Sequence, residues 1–129
     1  MLDTFPIISR YTRADALADG VLIDVTPIAR AAGFTIPVAV TRALMSDIET
    51  IPSSLIGLAD RDGRVWDVLW MTRAEIRRMV SDTDRLEVSL VMPVALPDGP
   101  LRMWYTFQAV IGPGDDGAPV ITLMGTDES

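Results

Sequence analysis

The stretch from Gly63 to Val80, GRVWDVLWMTRAEIRRMV, constrains the fold more than any other part of the chain. It holds two of the three tryptophans, Trp66 and Trp70, four residues apart. Read as a helix, it sets Trp66, Leu69, Trp70, Arg73, Ile76, Arg77 and Val80 along one side, the spacing of a helix face pressed on a sheet. Two indoles carry a large apolar area, so this reading predicts a core built around the pair. Val65, Val68, Met71 and Met79 fall off that side, which calls for cover on a second side or a contact with another chain. A competing reading places a strand over Arg64 to Leu69, after an Asp62-Gly63 turn, and a helix opened by a Thr72/Glu75 capping box. The single helix from about 62 to 80 is preferred, because the apolar spacing runs through Met71 without a break.

Beyond this stretch the period changes. Leu86, Val88, Leu90, Met92 and Val94 alternate with Glu87 and Ser89, the pattern of a half-buried strand. After the turn Pro97-Asp98-Gly99-Pro100, a second strand presents Leu101, Met103, Tyr105, Phe107, Ala109 and Ile111 on one face, with Arg102, Thr106 and Gln108 opposite. Gly112 to Gly117 (GPGDDG) is a tight turn, and Val120 to Met124 a third strand. The C-terminal half therefore reads as an antiparallel meander.

The N-terminal half supplies helices. Leu2 to Ser9 is a lead-in arm. Thr12 and Asp15 form a capping pattern and Gly20 a left-handed stop, giving a helix at about 12–19. VLIDV (Val21 to Val25) is a short strand that adds a fourth to the sheet. Thr26-Pro27 reads as a cap followed by proline at the first helical position, and Gly33 ends that helix. Phe34 to Val40 is extended or loop-like, an edge segment if it is a strand, because of Pro37. Thr41 caps a third helix that buries Leu44, Met45 and Ile48. Pro52-Ser53-Ser54 is a loop and Leu55 to Ala59 an apolar return. The expected fold is α+β: a three- to four-stranded antiparallel sheet packed against helices from the N-terminal half. It forms one compact domain over 1–129, with an arm at 1–9 and a frayed acidic tail at 125–129. Thr-Arg-Ala recurs at 12–14, 41–43 and 72–74, but the surroundings differ, so these are coincident helix openings and not a repeat.

Absences narrow the chemistry. The chain has no His, Cys, Lys or Asn, and all eleven cationic residues are Arg. That removes the usual general base near neutral pH, thiolate chemistry, Schiff bases and the commonest metal ligands. A net charge of −7 does not attract phosphate backbones, so no direct nucleic-acid binding is expected. Apolar residues make up 49% of the chain and mean hydropathy is +0.29. That is more than a chain this short readily hides, and it points to a homodimer or another apolar interface. No apolar run is long enough for a membrane span and the N-terminus lacks a signal pattern, so a cytoplasmic protein is expected, with no cofactor.

Three blocks of the chain carry a resemblance: DGVLIDVTPIARAAGF (19–34) with PVAVTRAL (37–44), GRVWDVLWMTRAEIRR (63–78), and AVIGPGDDGAPVITLM (109–124). Together they resemble a family of small uncharacterised bacterial proteins carried on plasmids and other mobile elements. The resemblance implies no activity and no ligand. It does imply a mobile-element setting, and with it functions such as countering host restriction or CRISPR systems.

Four groups of residues are candidate sites. Trp66, Asp67, Trp70, Arg73, Arg77 and Arg78, with Arg64 nearby, would form an interaction surface in which the arginines clamp an anion or a partner carboxylate; cations in a last helical turn also complement the helix dipole with no further role. Asp115 and Asp116 are the nearest approach to a divalent-cation site, against a hairpin turn whose carboxylates accept backbone hydrogen bonds. Asp24 and Asp67, each inside an apolar run, would be a carboxylate pair facing a ligand or solvated acids bonded to Arg30 or Arg73. Trp66, Trp70, Trp104 and Tyr105 would be a stacking platform for bases or core packing. The preferred function is a non-enzymatic protein-interaction or accessory module. The alternatives are an acidic nucleic-acid mimic or host-defence inhibitor of the anti-restriction type, and a carboxylate-based enzyme dependent on a divalent metal.

Overall fold

A computed structural model of the chain describes residues 11–50, 61–78, 83–94 and 101–128. The arm at 1–9, the segments 52–54 and 55–59, Val80 and the turn 97–100 lie outside the described residues. In chain order the elements are α1 (Arg13–Asp19), β1 (Leu22–Asp24), α2 (Thr26–Ala31), β2 (Val38–Thr41), α3 (Arg42–Glu49), α4 (Arg61–Arg78), β3 (Arg85–Val94), β4 (Leu101–Pro113) and β5 (Pro119–Gly125).

The sheet corrects the antiparallel three- to four-stranded expectation. Among the described residues it has five strands in the order β1-β2-β5-β4-β3, and it is mixed. β2 runs parallel to β5, with Val38 opposite Ile121 and Val40 opposite Leu123, while the other three pairs are antiparallel. The source of the difference is β2. Its residues Val38, Ala39 and Val40 are all buried, so the segment shows no alternation, as befits a strand covered on both faces. Pro37 does not make it an edge. The proline stands just before the first strand residue, and its carbonyl accepts the Ile121 N–H at 2.9 Å.

Local signals explain the helix ends. Thr12 accepts from the Asp15 N–H and Asp15 reaches back to the Thr12 N–H, a complete capping box. Gly20 closes α1 with a left-handed φ of 78°. Thr41 caps α3 by accepting the Leu44 N–H. Thr26, in contrast, is not a cap: it is the first residue of α2, and Val25 stands at the cap position with no side-chain bond. The Thr26 hydroxyl instead donates to Asp24 Oδ1 at 2.5 Å and accepts the Val38 N–H at 3.1 Å. It thereby ties the start of α2 to β2.

The 61–78 stretch is one helix, as preferred above, but with a different inner face. Arg64, Val65, Val68, Leu69 and Thr72 are buried, whereas Trp66 and Trp70 are 36% and 49% exposed. The smaller branched side chains allow α4 a close approach to the sheet. An inward Trp pair would expose Val65 and Val68 and oblige two indole N–H groups to find buried partners. The core is made instead by Leu44, Met45 and Ile48 of α3, Val65, Val68 and Leu69 of α4, and Val38, Val40, Val88, Phe107 and Leu123 of the sheet. Thr72 is accommodated by donating its hydroxyl to the Val68 carbonyl at 2.8 Å.

Candidate functional site

α4 packs along β3, at one end of the sheet. Side chains on its outer side meet the strand in an open groove of about 360 Å³, lined by Asp67, Trp70, Met71, Leu90, Val91 and Trp104. The helical spacing that buries Val68 and Leu69 turns Trp66 and Trp70 outward together. Their rings stack at 6.1 Å and 15°, and the Arg73 guanidinium lies 5.9 Å from the Trp70 centroid. On the strand side, Val91 and Trp104 are cross-strand partners. Trp104 is 73% exposed, the most open of the large apolar side chains described. Trp70, Trp104 and Val91 thus give the groove apolar surface open to solvent, and Trp66 extends it by its stack on Trp70.

The arginines divide among separate tasks. Arg73 lies against Gly33, where a Cβ would come within 2.6 Å of its Nε. Gly33 also has a φ of 103°, so glycine is required there both by conformation and by contact. Arg78 pairs with Glu75 at 2.9 Å, one turn back. Arg77 is exposed in the last turn, where a cation complements the helix dipole. Arg64 does not join them: it is buried, and burial lowers its pKa while attraction to Asp67 partly opposes that shift.

The acids predicted as sites are separated by the topology. Asp24 ends β1 and Asp67 lines the groove beside β3, and these strands are the opposite edges of the sheet. Asp24 accepts the Thr26 N–H and hydroxyl. Asp115 accepts the Arg13 and Ala14 N–H groups at 2.9 and 3.0 Å, so the β4–β5 turn caps the first turn of α1. Asp116 accepts the Ala118 N–H at 3.0 Å. Among the described residues no three His, Cys, Asp or Glu side chains gather as metal ligands do. Asp47 accepts from the Tyr105 hydroxyl. Burial first, and that bond second, hold the Tyr105 pKa well above the ordinary tyrosine value.

Trp104 and Tyr105 are neighbours on one strand and point to opposite faces, so the four aromatic residues do not form a single platform. Sequence reasoning missed Met71, Leu90 and Val91 as parts of the site. One signal was available for Val91: it is apolar at a position whose alternation places it opposite Val88 and Leu90. No described helix is long and apolar enough to cross a membrane. No match to a curated protein was found, and none to a solved structure. A family model covers residues 1–129, and the chain belongs to that family, a family of unknown function designated DUF6573.

Proposed function

We propose that this protein is a non-enzymatic interaction module that binds another protein, or a second copy of itself, through the groove between α4 and the β3–β4 margin, where Trp70 and Trp104 lie. The observation that carries the reading is the exposure of Trp70 and Trp104 along one groove, with Trp66 stacked on Trp70 beside it. Aromatic anchors of this kind dominate protein interfaces, and a fold that kept them for stability alone would bury them. The distribution of carboxylates supports binding over catalysis, since Asp24 and Asp116 are engaged with local backbone and Asp115 with the first turn of α1. The same engagement in caps and turns weighs against an acidic nucleic-acid mimic, which needs carboxylates in a row. The resemblance to mobile-element proteins makes a host factor one class of partner, acting in the cytoplasm.

The test compares wild type with a Trp70→Ala/Trp104→Ala double variant, both checked for folding by circular dichroism. Light scattering over a concentration series and a pull-down from the native host are run on each. Wild type is expected to self-associate or to retain a defined partner, and the double variant to do neither. A wild-type protein that stays monomeric and retains nothing that the double variant does not also retain would sink the reading.

A further inference from the structure

The groove lies beside a strand edge whose backbone groups can be assigned individually. Ile111 donates its N–H to the Asp84 carbonyl at 2.8 Å, and the β3–β4 register then continues unbroken from Arg85 opposite Val110 to Val94 opposite Leu101. Antiparallel pairs alternate between bonded and non-bonded. Even-numbered residues of β3 therefore direct their N–H and C=O at β4, and odd-numbered ones direct theirs away from the sheet.

The outward set is Arg85, Glu87, Ser89, Val91 and Pro93, and its two ends are closed. Thr83 Oγ1 accepts the Arg85 N–H at 3.3 Å and donates to the Arg85 carbonyl at 3.1 Å. Pro93 has no N–H, the edge position at which a strand tolerates proline. Between these ends, no described residue pairs with the outward N–H and C=O groups of Glu87, Ser89 and Val91. The open backbone thus stops where the groove begins, at Leu90 and Val91.

An edge strand flanked by a helix, with no partner among the described residues along its middle, can receive an extended peptide as an added strand. Main-chain bonds then supply affinity, and pockets for alternate side chains supply specificity. Charge decides which peptide fits. Asp67 is the one charged side chain lining the groove, it is exposed while Arg64, the cation that attracts it, is buried, and the whole chain carries −7. A second copy would bring Glu87 to this edge, and its Arg85 is held by Gln108 Oε1 at 2.5 Å. Resting on the interaction reading above, we infer that β3 accepts an extended segment of a different protein as a sixth strand, with an apolar side chain in the Trp70–Trp104 groove and an Arg or Lys against Asp67.

The experiment selects a phage-displayed library of random peptides, as long as β3 itself (10 residues), on the full-length folded protein. Enriched sequences are then synthesised, and their affinities measured by calorimetry. Expected are peptides with an apolar residue beside Arg or Lys, whose binding is lost on N-methylating one alternating set of amides and kept on methylating the other. Asp67→Arg should weaken them about tenfold or more, as loss of a complementary charge pair does, and should favour versions with Glu in place of the basic residue. Amide signals of Glu87, Ser89 and Val91 should become protected on binding.

The inference is overturned if no peptide enriches, or if binding ignores both N-methylation and Asp67→Arg. It is also overturned if those amides become protected with rising protein concentration alone, because a second copy then fills the edge; that outcome leaves the interaction reading standing. Peptide binding that survives Trp70→Ala/Trp104→Ala would fail the tryptophan reading and leave β3 as the binding edge.

Discussion

At one margin of the sheet β1 has three residues, and α1 packs against it. At the other, β3 has ten residues, and no described residue pairs with its outward backbone along the middle. The short margin is tied down from several directions. Asp115 caps α1 from the β4–β5 turn, the Arg13 guanidinium bonds Thr122 Oγ1 and the Ile121 carbonyl at 2.7 and 3.0 Å, and Val21 accepts the Arg42 N–H. Proteins usually blunt an edge by keeping it short, covering it, or placing proline or charge on it. β1 uses the first two devices. β3 carries a threonine lock and a proline at its ends and exposed charge at Arg85 and Glu87, and keeps its length. The contrast teaches that, among the described residues, the same sheet covers one edge and leaves the other without a backbone partner along its middle.

The strongest way to break the contrast is to detach the helix that supports the open edge. Leu69→Ala removes a fully buried side chain and should cost about 2–5 kcal/mol in urea unfolding, with amide exchange in β3 rising before that in β2. A loss under about 1 kcal/mol would mean that α4 is not what holds β3 to the core.

A smaller effect is expected at the closed edge. Asp115→Ala removes the acceptor for two N–H groups of α1 and should cost about 1 kcal/mol, as helix-cap deletions do. Hydrogen exchange at Leu22 to Asp24 should quicken selectively. Unchanged exchange there would show that α1 does not depend on this cap to guard β1.

The smallest effect is a pH dependence beside the open edge. Tyr105 pairs with Leu90 across β4 and β3, and its pKa is raised in the folded state, by burial first and the Asp47 bond second. The folded state therefore keeps the proton that the unfolded chain releases near pH 10. The stabilisation is complete below about pH 10 and is lost as pH rises through the higher folded-state value. Thermal melts from neutral pH to above this point should show wild type losing stability more steeply than Tyr105→Phe. Parallel curves would remove the role assigned to this hydroxyl.

Much of the framework was legible in local patterns. Thr12, Asp15 and Gly20 mark both ends of α1, Thr41 marks the start of α3, and the alternation from Leu86 onward marks β3. Each signal involves residues within a few positions of one another, so sequence proximity suffices. The groove was legible only in part: Trp70 and Asp67 stood out, while Val91 and Met71 look like ordinary apolar residues. Thr26 misled for a similar reason, since its hydroxyl bonds a strand twelve residues away and not the helix it opens.

By itself, the sequence determined the α+β class, the helix ends, the strand periodicity and the exclusion of His-, Cys- and Lys-based chemistry. These follow from propensity, capping and composition, which are local or additive. Tertiary structure decided that β2 enters the sheet beside β5, that the tryptophans face outward, and that β3 is a margin. Each of those depends on which apolar surfaces compete best for burial. Val65, Val68 and Leu69 gained the inner face of α4 because small branched side chains pack closely on a sheet, and the bulkier Trp66 and Trp70 were left for another surface to cover.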